Sequence, residues 1–273
     1  MTLLKTRKKT LAINLLYNPT GGSLAQIKKL LENIDKYEFT DFIIYIIPSN
    51  IGLIKNLVSQ NIRIRSSKFA GISLITRTIW EQFFLPLYLI LDRVNILFCP
   101  GNIAPIFSLS KKAQWIGTIG PFDEDFVRIY AQYSFIKRFI LFFNKILMLY
   151  SSKTSNHVFF ESFYTRDMFM ERYGFDEKKT SVLQIGKDEY FKPEKLVKSG
   201  EYSNLLRKKF ILSVSHLYPY KNIETLLHAY SQLRSEERGL SLVLAGSTQN
   251  VKYFNKLKDI VASYGLEDSI YFV

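Results

Sequence analysis

The stretch ILSVSHLYPYKN, residues 211–222, joins a strand-like apolar run, a polar pair, a turn around Pro219 and a lysine at the mouth of a helix. Ser215, His216 and Lys221 all follow the strand. In an open α/β sheet the carboxyl ends of the strands are where ligands gather, so these side chains are expected at a crevice between domains. A lysine beside a helix start sits at the positive end of the helix dipole, and an anionic ligand would compensate it. The plainer reading is a surface lysine with no partner. The chemistry at stake is the binding of an anion.

A second stretch of the same kind is NPTGGSLAQIKKL, residues 18–30. Gly21 and Gly22 permit positive φ and close backbone approach, and the helix behind them offers unpaired N–H groups suited to a phosphate. It is neither a P-loop nor the GxGxxG fingerprint, and an ordinary tight turn accounts for it equally. A third block, residues 122–153, mixes Arg128, Tyr130, Tyr133, Lys137, Arg138, Phe142 and Lys145 on one long helical period. Such a segment can set aromatic rings at headgroup level while its cations meet lipid phosphates; the alternative is a core helix with charges at its edges. At its head, Asp123, Glu124 and Asp125 could orient a sugar hydroxyl or simply form a helix N-cap cluster.

The totals narrow the partners. The formal charge of +13 points to an anionic one: a phosphorylated substrate, an acidic membrane face or nucleic acid. No helix-turn-helix, zinc finger, RRM or KH pattern is present, so nucleic acid is not expected. The histidines, 157, 216 and 228, are scattered without Cys/His spacing, and no metal site is expected. Cys99, the single cysteine, permits no internal disulfide, sits in the apolar run ILFCP and reads as a buried structural thiol of a cytoplasmic protein. The N-terminus lacks the pattern of a signal peptide. The apolar runs 83–91 and 139–150 are too short to span a bilayer, although a peripheral place on its inner face is compatible with them.

Apolar runs alternate with helical periods along the chain. Strands are predicted at 11–18, 42–49, 61–67, 95–101, 113–120, 157–161 and 181–186, several of them continuously apolar, as in a parallel sheet covered on both faces. Helices are predicted from Ser23, with Leu24, Ile27, Leu30, Leu31 and Ile34 on one face, over 69–92 with a kink at Pro86, and over 126–151. A second unit has strands at 211–216, 241–246 and 269–273, with helices between them. The fold class is therefore α/β, with two Rossmann-like domains: 1–190, a linker at 191–208, and 209–273. The second unit, with so few elements, reads as incomplete.

VSHLYPYKNIETLLHAYSQL resembles the start of the second domain of family 4 (group 1) glycosyltransferases, which have the GT-B fold. NPTGGSL is similar to that family's glycine loop. RTIWEQFFLP and NILFCPGNIAPIF are similar to its acceptor-side segments, and residues 159–193 to its end-of-first-domain signature. The resemblance implies retaining transfer of a sugar from a UDP- or GDP-linked donor to a hydroxyl acceptor, in making a cell-surface polysaccharide or glycolipid. It implies that Lys221 meets the donor's diphosphate, that His216 stands where an arginine is common, that Ser215 adjoins the donor, and that Gly21 and Gly22 let backbone approach it. No cofactor or metal is implied; the nucleotide-sugar is the substrate. Where many members carry a histidine–aspartate pair, WIGTIGPFDED has none, and Thr118 is the candidate stand-in. Members also continue past the strand at 269–273 with a pair of donor-gripping glutamates. On this resemblance the chain is cut short in its donor-binding domain, as an inactive remnant or a subunit whose partner polypeptide completes it.

Overall fold

The computed structural model describes residues 9–19, 22–36, 41–57, 62–130, 134–186, 209–237, 239–248 and 250–273. The chain divides into two compact units, Met1–Asp123 with Arg138–Lys187, and Glu124–Lys137 with Asp188–Val273. The connection expected at 191–208 lies outside the described residues.

In chain order the first part contains β1 (Thr10–Leu15), α1 (Gly22–Glu32), β2 (Asp41–Ile46), α2 (Ile51–Ile54), β3 (Ile62–Ser66), α3 (Leu74–Ile79) and α4 (Leu85–Leu91). There follow β4 (Ile96–Cys99), β5 (Lys111–Ile116), α5 (Glu124–Tyr130), α6 (Phe135–Lys153), β6 (His157–Phe160), α7 (Phe163–Tyr173) and β7 (Thr180–Val182). The strands form one parallel seven-stranded sheet in the order β3-β2-β1-β4-β5-β6-β7, so the strand order reverses between β1 and β4. Such a reversal is where an open sheet parts its loops.

Both faces of this sheet are covered, which is why its central strands read as unbroken apolar runs. Ile13, Phe42 and Ile44 pack beneath α1 and α2 with Ile27, Leu31 and Ile54. Ala12, Ile43, Tyr45, Leu97 and Cys99 pack on the other face with Trp80 and α4 residues Leu85 and Leu89. Gln114 pairs in register with Cys99 and with Val158, so by the two-residue period of strands Ile116, Val158 and Phe160 share this second face. There they meet Leu147 and Met148 of α6 and Phe169 of α7.

Two expected helices are not regular throughout. Over 69–92, α3 runs through a π-helical turn at Trp80–Phe84 into α4, with Pro86 just past the π turn. The period expected to run unbroken over 126–151 is two helices, α5 and α6. The buried cation Lys112 helps hold the second face: its Nζ donates to the carbonyls of Pro105 and Ile106 at 2.7 and 2.8 Å and to Thr154 Oγ1 at 2.8 Å. Burial pushes its pKa down to about 8.

The second unit adds β8 (Phe210–Val214), α8 (Ile223–Glu236), β9 (Ser241–Ala245), α9 (Val251–Ser263) and β10 (Ile270–Phe272), in a parallel sheet ordered β10-β9-β8. Leu227, Tyr230, Leu242, Leu244 and Leu257 form its core, and the buried Tyr230 hydroxyl donates to Leu240 O at 2.7 Å. Edge strand β8 leaves Ile211, Leu212 and Val214 exposed. Among the described residues no helix is long and apolar enough to cross a membrane.

Candidate functional site

The loop after β8 is built from its two ends. Ser215 N–H donates to Ala245 O, and Leu217 N–H to Ser247 O, which fixes the loop against the end of β9 at 3.0 Å in each case. Gly246 makes this approach possible: its φ is 156°, and a Cβ there would fall 2.0 Å from Ser215 O. Buried Leu217 then anchors the loop in the core. A 3₁₀ turn, Pro219–Lys221, follows, and Asn222 in the left-handed region (φ 52°, ψ 46°) turns the chain into α8.

That helix start carries an exposed cation. No side chain caps α8, because the Asn222 carboxamide accepts from Thr225 Oγ1 at 2.9 Å rather than from the backbone. Two of its first N–H groups are taken locally, that of Ile223 by the Tyr253 hydroxyl and that of Glu224 by its own carboxylate, while the adjacent Lys221 is exposed and no described carboxylate pairs it. The Lys221 amine lies 5.3 Å from the centre of the Tyr220 ring. Glu224, in the first turn, is occupied elsewhere. Burial pushes its carboxyl up, but the Tyr253 hydroxyl and Lys256 (3.1 Å) hold it below the usual range.

Aromatic rings floor this loop, and sequence reasoning missed them. His216 lies 6.0 Å from Tyr218, Tyr218 stacks on Tyr220 at 5.6 Å, and Tyr220 meets Phe126 of α5 at 5.1 Å. Phe126 stacks in turn on Tyr130, and Lys137 Nζ lies over that ring at 5.2 Å. The sequence grouped Tyr130 and Lys137 with a lipid-facing helix; the structure groups them with this loop, while Arg128 is paired with Asp125 at 2.7 Å. Tyr133 lies outside the described residues. Nothing in the spacing of 122–137 signalled a partner so distant in sequence.

The remaining candidates do not converge on one point. Gly22 opens α1 with no positive φ, and a Cβ there would touch nothing within 4 Å; Gly21 lies outside the described residues. Thr118 is exposed, and its hydroxyl accepts from Gly120 N–H at 3.2 Å within its own turn. Beside it, at the ends of β4, β5 and β6, Gly117 N–H donates to Asn102 Oδ1 at 2.8 Å, and burial pushes the nearby Glu161 carboxyl up. Glu161 and Asn102 each stand one or a few residues past a strand, the only signal that could have found them.

At the β1/β4 reversal, Asn14 donates to buried Glu81 at 3.1 Å, and Arg77 Nε stands 3.8 Å from the same carboxylate. Burial pushes the Glu81 carboxyl up, against the pull of Arg77 and Asn14. The Tyr17 hydroxyl is buried without a hydrogen-bond partner, and its ring fits only because residue 101 is glycine, where a Cβ would come within 2.7 Å. On the same side, a cavity of about 280 Å³ is lined by Tyr45, Arg65, Ser66, Ser67, Trp80 and Tyr88. Arg65 is already clamped to Asp92 there.

Cys99 is fully buried, and burial raises its thiol far above reactivity. His157 bonds Ser181 Oγ at 2.8 Å, and exposed His228 bonds the Tyr264 hydroxyl at 3.1 Å. Among the described residues no cluster of His, Cys, Asp or Glu could hold a metal.

Residues 197–273 match the family model described as glycosyl transferases group 1, which bears out the resemblance read in VSHLYPYKN. In fold, the chain is similar to the Anabaena HepE protein, solved with UDP and glucose, at TM-score 0.63 and 12% identity over 98% of this chain and 69% of that one. It is also similar to sucrose-phosphate synthase from Thermosynechococcus elongatus (TM-score 0.65, 14% identity, 98% and 70% coverage). A third likeness is to the lipopolysaccharide outer core galactosyltransferase WaaB (TM-score 0.56, 13%, 97% and 67%). At these identities the likenesses establish the fold, which is that of GT-B glycosyltransferases: two Rossmann-like parallel-sheet units. No curated protein matches by sequence.

Proposed function

We propose that this protein is a retaining glycosyltransferase that moves a sugar from a UDP- or GDP-linked donor to a hydroxyl of a growing cell-surface polysaccharide or glycolipid, in the cytoplasm. The observation that carries this reading is the exposed Lys221 at the start of α8, which no described carboxylate pairs, at the carboxyl ends of β8 and β9. Breaking a sugar–phosphate bond leaves negative charge on the departing diphosphate. The Lys221 ammonium, at the positive end of α8, would bind that charge, and more strongly as it develops. His216 adds a ring nitrogen on the same loop, against Tyr218. Ser215 and Gly246 bring backbone close enough for the nucleotide to rest against the strand ends.

HepE bound to UDP and glucose, and the glycosyl transferases group 1 match over this unit, support the donor class. The nucleotide-sugar is the substrate, and the reading assigns no cofactor or metal. In the first unit, Glu161 and Asn102 join Thr118 as polar groups offered to a sugar hydroxyl. Calorimetric titration with UDP-glucose and GDP-mannose tests the reading. Saturable binding of one donor is expected, weakened roughly ten- to a hundredfold by Lys221→Ala, as for loss of one charge-assisted contact. Binding unaffected by that change, or no donor binding by the chain or any longer natural form of it, would overturn the assignment.

A further inference from the structure

Over the second face of the large sheet, the segments α3, the π turn, α4 and α6 are apolar on both their sides. Segment α3 has no buried residue at all, yet it carries Leu74, Ile75 and Ile79. Ile72, Ile75, Phe83 and Leu91 are each about 70% exposed or more (71, 71, 69 and 74%), and Leu87 is also exposed. Helix α6 buries Leu141, Leu147 and Met148 and presents Phe139 and Phe142 outward. The loop between, tied to the π turn by Gln82 through Ala104 O and Ile106 N–H, exposes Phe107 and Leu109. Apolar area on this scale exceeds what a soluble surface ordinarily leaves uncovered.

Charge says what covers it. Between Lys68 and Arg93 the acidic residues are Glu81 and Asp92, and both are buried; α6 contains none. The exposed charges of these segments, among them Lys68, Arg93, Arg138 and Lys153, are therefore positive. A second copy laid on this face would set cation against cation. An anionic bilayer satisfies both features, taking the apolar side chains at the acyl boundary and the cations at the phosphates.

We infer that the outer surface of α3, the π turn, α4 and α6 is a membrane-docking face that seats on anionic phospholipid. It positions the first unit at a bilayer independently of any donor bound by the second. Flotation of the full chain with vesicles of phosphatidylcholine containing phosphatidylglycerol tests this. Partitioning is expected to fall about tenfold on vesicles of phosphatidylcholine alone, and at least as far in Phe83→Asp/Leu87→Asp. Arg138→Gln should cost roughly fivefold, the weight of one cation at a charged surface. Circular dichroism and Tm of each variant are expected to match the parent, since all these positions are exposed. The inference is overturned by absence of flotation, by equal binding to neutral vesicles, or by a dimer in sedimentation that Phe83→Asp/Leu87→Asp dissociates, which would give the face to a second copy.

Discussion

Helices α1 and α4, on opposite faces of the large sheet, do the same work inward and opposite work outward. Under α1, Ile27 and Leu31 pack on Ile13 and Ile44, and the helix turns Lys28, Lys29 and Glu32 to water. Under α4, Leu85 and Leu89 pack as tightly on Tyr45 and Leu97, but the outer positions are Leu87, Ile90 and Leu91. An apolar residue on a helix therefore does not identify the core side. One helix is amphipathic in the ordinary sense. The other is apolar around most of its girth, with the carboxylates that flank it, Glu81 and Asp92, drawn inside.

The sharpest break of this contrast is within α4. Leu89→Ala should lower stability by about 2–5 kcal/mol in chemical denaturation, as should Leu31→Ala in the opposite layer. Leu87→Ala, two residues away, should stay within about 0.5 kcal/mol of the parent. Equal losses at 87 and 89 would mean that the outer side is packed after all.

Next in size is the buried carboxylate beneath the apolar layer. Asp92 is clamped by Arg65 and accepts from the Tyr45 hydroxyl at 2.7 Å. Burial pushes its carboxyl up, and Arg65 and Tyr45 outweigh that, holding it below the usual range. A depressed carboxyl stabilises the fold above the unfolded pKa, and that contribution is lost as pH falls through the folded one. Asp92→Asn is expected to cost about 1–3 kcal/mol at pH 7, with Tm read by calorimetry, and the gap to the parent should narrow in acid.

Lys112 gives an opposite, alkaline signature. Its folded pKa, about 8, lies below the unfolded value, so the unfolded chain binds the extra proton between the two. Stability should rise with pH from about 8 towards 10, and Lys112→Met should remove that rise. The smallest effect is expected at Lys28→Ser on α1, which should change neither Tm nor vesicle partitioning measurably. A vesicle effect there as large as at Phe83 would erase the distinction between the layers.

The sequence was legible wherever a pattern is local. Apolar runs located the ten described strands to within a few residues, most plainly the central ones, because a strand buried on both faces has little room for polar residues. The turn through Pro219 and the lysine beside α8 were legible for a similar reason: turn chemistry and helix starts are set by neighbours in the chain. Two long helices were not. Pattern alone could not reveal that the period through 126–151 stops between Tyr130 and Phe135, or that Trp80–Phe84 widens to a π turn.

The sequence by itself determined the α/β class, the strands, and the identity of the cation at the mouth of α8, since each follows from side-chain type and near-neighbour spacing. Tertiary structure alone decided that Tyr220 would find Phe126, that Gly246 would admit Ser215, and that Glu81 and Asp92 would turn inward while Phe83 and Leu87 turned out. A helix of nearly uniform apolarity carries no preferred inward side. Which of its residues are buried is set by the sheet it lands on, and that depends on chain folding across dozens of residues rather than on any spacing within the helix.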